Sequence, residues 1–336
     1  MSLNFATIEN SVKYIGRGAF DETPWYNNQP DGLVYAGNVA YKYKGEMPTN
    51  TQICIKEGTL GIASHAFYGY NELISVSIPN SLTTIGEFAF YECSSLTSIS
   101  IPNSVTTIGI SAFLFTPWYN NKPDGLVYAG KVAYKYKGEM PANSQIIIED
   151  GCIEIAANAF SGCKGLTSVS IPPSVNYIGD SAFHGCSGLT TITIPNSVIS
   201  IGSDAFYGCS GLARIVIPNS MISIGNGTFD WCDALTDVYC YAKTVPKLLY
   251  RYYGPNVMNA TLHVPAETIV LYKYSWPWNS FGSIVALSDN DPKPTGIENI
   301  ISSKAIEDSY FTINGYKILP IHKGIYIHNG KKEIVK

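Results

Sequence analysis

Eight cysteines and five histidines are the side chains of widest chemical reach in this sequence. A thiolate can attack a carbonyl or hold zinc, and an imidazole can move a proton or ligate a metal. Their placement argues against such uses. Cys93, Cys163, Cys186, Cys209 and Cys232 each stand three residues after a phenylalanine, whereas Cys54, Cys152 and Cys240 lie elsewhere. No C-x-x-C or C-x-x-H spacing offers zinc its ligands. The histidines are His65, His184, His263, His322 and His328. His65 and His184 stand beside Phe67 and Phe183 with no carboxylate at a fixed neighbouring position. There is no G-x-S-x-G, phosphate-binding loop, H-E-x-x-H or paired-carboxylate pattern. The chain reads as a non-enzyme with no cofactor and no metal.

Aromatic rings are the better candidates for contact with a ligand. Trp25, Tyr26, Tyr41 and Tyr43 recur 93 residues later as Trp118, Tyr119, Tyr134 and Tyr136. Such rings can stack on sugars or anchor a protein partner. Their alternative use is to pack the segment that carries them. Alternating Ser and Thr positions, from Ser75 and Ser77 to Thr191 and Thr193, form a second candidate surface, a hydroxyl stripe. Near residue 214 the stripe changes to Arg214, Val216, Asp237 and Tyr239. Hydroxyls alone supply little anchoring area compared with Trp, Tyr and Arg.

The elements that must position these residues repeat. Residues 166–188, 189–211 and 212–234 are successive 23-residue copies, and earlier copies start at Leu73 and Leu96. A fixed period in the 20s with apolar residues in fixed slots signals a leucine-rich-repeat solenoid. In one copy Leu189, Ile192 and Ile194 turn inward while Thr191 and Thr193 face out. Pro195 ends the strand because it has no N–H to give. Gly202 and Gly208 allow backbone turns, and Ala205 and Phe206 are buried. Parallel same-slot cysteines about 5 Å apart have poor geometry for a bridge, so they read as core-filling thiols. The core phenylalanine recurs at 20, 67, 90, 113, 160, 183, 206 and 229. The spacing predicts one continuous stack of these rings. The fold class is therefore a mainly β solenoid of stacked short parallel strands with short helical or 3-10 turns, carrying inserted β-hairpins and a small C-terminal β module.

The two 47-residue steps, Phe20 to Phe67 and Phe113 to Phe160, each span nearly two periods. Each reads as an enlarged coil bearing its own hairpin, at 21–66 and 114–159. Repeats then occupy 1–241, a cap 242–287, a polar Pro-containing linker 288–296 and a small β sorting or anchoring module 297–336. In the cap, Ala266 to Tyr274 reads as a short helix packing Trp276 and Trp278 on the open end of the array. Charged residues are only 14% of the chain and the net charge is −4. This excludes the basic field of a nucleic-acid binder. No apolar run approaches the roughly 18 residues of a membrane helix. The opening residues already match the middle of a repeat, so Met1-Ser2-Leu3 reads as an expression scar, with an upstream segment, including any signal peptide, removed.

The text of the repeats carries a resemblance. IPNSVISIGSDAFYGCSGL at 194–212 resembles the BspA-type leucine-rich repeat proteins, surface or secreted proteins known from Bacteroidetes and some mucosal protozoa. The resemblance covers about residues 4–240 and implies a right-handed solenoid. It also implies an adhesin-like function, with a host matrix protein or another surface protein as partner. A glycan- or mucin-binding surface protein and a passive spacer are the alternatives. GYKI at 315–318 and KGIYIHNGKKEIVK at 323–336 look like the C-terminal sorting tail of type IX secretion. That resemblance implies contact with the secretion machinery or outer membrane.

Overall fold

The computed structural model describes residues 8–248 and 255–294, together with the strands Tyr310–Thr312, Lys317–Ile318, Gly324–His328 and Lys331–Val335. The chain divides into two compact units, Met1–Gly138 and Glu139–Lys336.

Each repeat contributes one strand to each of two parallel ladders. In the first unit Thr51–Cys54, Leu73–Ser77 and Ser98–Ser100 form one ladder. Gly61–Ile62, Thr84–Ile85 and Thr107–Ile108 form the other. In the second unit Thr191–Thr193, Arg214–Ile217, Asp237–Cys240, Thr261–Val264 and Ser283–Ala286 run side by side. Glu154–Ile155, Tyr177–Ile178, Ser200–Ile201, Ser223–Ile224 and Lys247–Leu248 build its second ladder. Identical slots therefore pair with identical slots, as Ile192 with Ile215 and Ile215 with Val238. A coil cannot bury its apolar face alone and does so against its neighbours.

The repeat text explains the joints between coils. Ser197 Oγ donates to the Val175 carbonyl of the preceding coil at 2.6 Å, and Ser174 and Ser220 repeat the bond. The serine of the turn is thus also an inter-coil tie. Gly202 is required for a different reason than a left-handed turn. A Cβ there would stand 2.4 Å from the Asp180 backbone nitrogen, so glycine is what lets adjacent coils approach. Cysteines close the core. Cys93, Cys186, Cys209 and Cys232 donate their thiols to the carbonyls of Phe67, Phe160, Phe183 and Phe206, one coil back. Among the described residues none of the eight cysteines is joined in a disulfide.

The expected continuous phenylalanine stack is corrected in the first unit. Phe67, Phe90 and Phe113 stack with centroids 5.2 and 5.5 Å apart. Phe160, Phe183 and Phe206 do the same in the second unit at 5.2 and 5.3 Å. Phe20 stands outside any stack, half-buried, and meets Tyr41 edge-on at 5.3 Å.

Each hairpin pairs antiparallel, Gly32–Ala36 with Val39–Lys44 and Gly125–Ala129 with Val132–Lys137. A short helix precedes each, Pro24–Asn27 and Pro117–Asn120. Thr23 and Thr116 cap them by accepting the N–H of Tyr26 and Tyr119, each at 3.2 Å, and proline suits the first helical position.

Beyond the repeats, Ile269–Tyr274 is helical. Its Tyr272 hydroxyl donates to the Ala242 carbonyl at 2.8 Å, and Trp278 Nε1 to the Pro246 carbonyl at 3.0 Å. Trp278 is buried, while Trp276, expected to pack with it, is 60% exposed. The four C-terminal strands form an antiparallel sheet of their own; the rest of the sorting-tail resemblance lies outside the described residues.

Candidate functional site

The surface that departs most from repeat regularity is the tight turn around each core phenylalanine. The residue two before it and the residue two after it both take positive φ, at 53–67° and 58–78° respectively. Where a regular coil follows, their N–H groups, with that of the phenylalanine, point at that next coil. His65, Phe67 and Gly69 donate to the carbonyls of Glu87, Ala89 and Tyr91 at 2.8–2.9 Å. A left-handed backbone costs an ordinary residue about 1–2 kcal/mol, and glycine fills the later slot at Gly69, Gly162, Gly185 and Gly208. Yet Phe88, Phe115 and Trp231 also occupy such positions, at φ of 53°, 63° and 58°.

In the first unit these side chains join their neighbours in one surface row. His65 stacks on Tyr68 at 5.3 Å, Tyr68 on Tyr91 at 5.2 Å, and Tyr91 meets Phe115 edge-on at 5.1 Å. Phe88 lies 5.0 Å from His65 and 5.4 Å from Tyr91. Tyr68 is 43% and Phe115 56% exposed. The duplication supplies an internal comparison. Ninety-three residues later the same slots hold Asn158, Ser161, Ser181, His184 and Gly208. Four of the five slots therefore fold without an aromatic ring, and the fifth, His184, stacks on Tyr207 at 4.9 Å. Sequence reasoning passed over this row, although a slot that is glycine in some coils and Phe or Trp in others was its readable signal.

The hairpin aromatics are placed differently. Tyr41 and Tyr134 are buried, and their hydroxyls accept the backbone N–H of Phe20 at 2.9 Å and of Phe113 at 3.0 Å. Tyr43 and Tyr119 are also buried. Tyr43 packs on Tyr70 at 5.3 Å, and Tyr119 on Tyr134 at 5.9 Å. Trp25, Tyr26, Trp118 and Tyr136 are half-buried. Trp25 and Trp118 lean on Phe20 and Phe113 at 4.9 and 4.8 Å. Burial raises the phenols of Tyr26 and Tyr119 to about 12. The hairpin rings thus hold the hairpins in place before anything else.

Beside the exposed row lies a half-open notch of about 240 Å³, lined by Arg17, Gly18, Asp21, Tyr41, Lys42, Ser64, His65, Tyr68 and Tyr70. It sits between the turns of Phe20 and Phe67, in the enlarged coil. Asp21 accepts from Tyr41 at 2.8 Å and from Lys42 at 2.7 Å. Burial would raise its carboxyl, but these bonds and the charges of Lys42 and Arg17 hold it below the usual range. His65 Nδ1 is buried without a partner. Burial, with Arg17 and Lys42 nearby, lowers its imidazole.

On the strand face of the second unit, Thr191 aligns with Arg214, Asp237 and Thr261, and Thr193 with Val216, Tyr239 and His263. The hydroxyl stripe is thereby closed at one end: Val216 and Tyr239 are buried. His263 bonds Asp237 at 2.9 Å, lies 3.8 Å from Asp291 and stacks on Tyr239 at 4.3 Å. Tyr241 donates to the Pro292 carbonyl at 3.2 Å. Residues 288–294, linker-like in composition, are tied to this face. Among the described residues no group of three or more His, Cys, Asp or Glu is arranged to hold a metal, and no helix is long and apolar enough to cross a membrane.

Comparison with solved structures finds a leucine-rich repeat protein of T. pallidum, 23% identical, covering 68% of this chain and 86% of that one, with a TM-score of 0.31. The pneumococcal vaccine antigen PcpA is 18% identical over 82% of this chain and 71% of its own, at a TM-score of 0.39. A leucine rich cell surface protein of Faecalibacterium prausnitzii is 19% identical over 78% and 95%, at 0.29. Comparison with curated proteins finds no match. The model of the BspA type leucine rich repeat region matches residues 1–116 and 130–251 in six copies. With more than half of its length so matched, the chain belongs to the BspA-type leucine-rich repeat family.

Proposed function

We propose that the protein is a secreted or cell-surface, adhesin-like binding protein that recognises matrix or other surface proteins through the turn face of its first unit. Membership of a repeat family of surface proteins supports the general class. The observation that carries the specific reading is the row His65, Tyr68, Phe88, Tyr91 and Phe115. Aromatic residues dominate the hot spots of protein interfaces. Here Tyr68 and Phe115 are exposed and His65, Phe88 and Tyr91 half-buried; the five rings are contiguous and in part held on a backbone that glycine would adopt without strain. Strain at a surface position without a packing role points to function. The half-buried Trp25, Tyr26, Trp118 and Tyr136 retain surface to contribute, whereas Tyr41, Tyr43, Tyr119 and Tyr134 serve packing. In this reading the C-terminal strands serve as the export or anchoring signal that their sequence resembles.

The test is capture of the full chain by immobilised matrix proteins, mucins and other surface proteins. We expect saturable binding to a protein, lost in the double variant Tyr68→Ser with Phe115→Gly and unaccompanied by any fall in melting temperature. Binding that survives the double variant would move the surface elsewhere. Silence from a folded sample against every protein would remove the adhesin reading.

A further inference from the structure

The notch beside Phe20 exists because the enlarged coil replaces a turn with a hairpin. In a regular coil, the N–H two residues before the core phenylalanine donates to the next coil, as His65 N–H does to Glu87 at 2.9 Å. Gly18 occupies that slot at φ 67°. The coil that would supply its acceptor is absent, and among the described residues its N–H finds none. The Tyr41 hydroxyl takes over only the bond to Phe20. What remains is a recess with one open backbone donor at its edge.

We propose that this notch binds a sugar ring that carries a carboxylate. The Arg17 guanidinium, exposed at its mouth, and the Gly18 N–H supply donors to the acid group. An anion is held most strongly by such charged and backbone donors. His65 also lines the notch, its Nδ1 buried in the wall without a partner. Asp21, its charge balanced by Lys42, retains lone pairs for ring hydroxyls. Tyr68 and Tyr70 furnish flat walls, and such faces pack on sugar rings. A bare carboxylate side chain would use the donors but neither the acceptor nor the walls. At about 240 Å³ the recess falls below the roughly 300–1,000 Å³ of sites that enclose drug-sized molecules, which matches one ring. The duplicated sequence lacks this chemistry. Offset by 93 residues, Arg17, Asp21, His65, Tyr68 and Tyr70 become Ile110, Leu114, Asn158, Ser161 and Cys163, while Tyr41 and Lys42 remain as Tyr134 and Lys135. The scaffold residues persist and the ligand-facing ones change.

The inference deepens the proposed function, on which its biological use rests, but its chemistry is tested separately. The full chain is titrated calorimetrically with N-acetylneuraminic acid and glucuronic acid, and with glucose and acetate as controls. We expect saturable binding of at least one acidic sugar and none of glucose or acetate. Arg17→Gln should weaken it about tenfold or more, with an unchanged melting temperature. His65→Asn, which keeps a residue tolerant of positive φ, should weaken it as well. Phe115→Gly lies outside the notch and should leave it intact while abolishing capture by protein partners. Equal binding of acetate, equal binding of glucose, indifference to Arg17→Gln, or no binding of either acid would each overturn the proposal. Loss of protein capture alone would instead bear on the adhesin reading.

Discussion

The Tyr41 hydroxyl accepts the Phe20 N–H at 2.9 Å, in the place where the Ala89 carbonyl accepts the Phe67 N–H at 2.8 Å. A side chain of the hairpin thus stands in for the backbone of a missing turn, and Tyr134 does the same for Phe113 at 3.0 Å. Removing the hydroxyl leaves a buried N–H without a partner, which costs about 1–3 kcal/mol. Tyr134→Phe should therefore lower stability by that amount in urea melts, with ligand binding unchanged. An unaltered midpoint would mean that the bond is dispensable.

Trp231 is 62% exposed at φ 58°, in a slot that is glycine in other coils. Trp231→Gly relieves the backbone and should raise stability by about 1 kcal/mol, read as a higher melting temperature. Phe115→Gly should do likewise while losing partner binding. A fall in stability for both would show that these rings are structural after all.

Phe183 stacks between Phe160 and Phe206 and is fully buried. Phe183→Ala should cost about 3–5 kcal/mol in denaturant melts. A loss under about 1 kcal/mol would refute the additive stacking of coils.

Burial raises the thiols of Cys93, Cys186 and Cys232 to about 12, and that of Cys209 beyond this. A thiol must ionise to react. Native protein treated with iodoacetamide at pH 8 should label at Cys54, which is exposed, and leave the core cysteines untouched until denaturant is added. Mass spectrometry reads the outcome; rapid labelling of Cys186 or Cys209 would contradict the packed core.

Asp237 is partly buried, which alone would raise its carboxyl, but bonds from His263 and Thr236 hold it below the usual range. A carboxyl depressed in the folded state contributes stability that is complete above its unfolded pKa, about 3.9. That contribution is lost as pH falls through the folded value. Melting temperature should therefore drop between about pH 5 and 2 more steeply in the native sequence than in Asp237→Asn. Parallel curves would show that the bond adds nothing on folding.

The repeat was legible because each slot has one physical demand. Ile192 and Ile194 alternate with threonines, Pro195 stops a strand, and the period repeats until Leu235. The candidate site was harder to read. Tyr41 and Tyr68 are both tyrosines near the duplicated block, yet one bonds inward to a backbone N–H and the other faces solvent. Composition cannot tell them apart, because the difference lies in which coil supplies a carbonyl. The notch was illegible for the same reason. Arg17, Lys42 and His65 are far apart in sequence, and a missing turn brings them together. Gly202 had the right residue but another cause, since contact across coils is invisible within a single repeat.

The paired left-handed positions of each turn have a consequence for how such a protein changes over time. Their side chains leave the backbone outward, next to a core that does not involve them. Replacement there alters what the surface offers at a roughly fixed and small energetic toll, while the stack beneath keeps its register. Gly208 and Trp231 occupy equivalent slots in successive coils of the same design. Each coil therefore holds an interchangeable display position, and a chain that duplicates coils acquires fresh positions on which new specificities can be drafted without redesigning the scaffold.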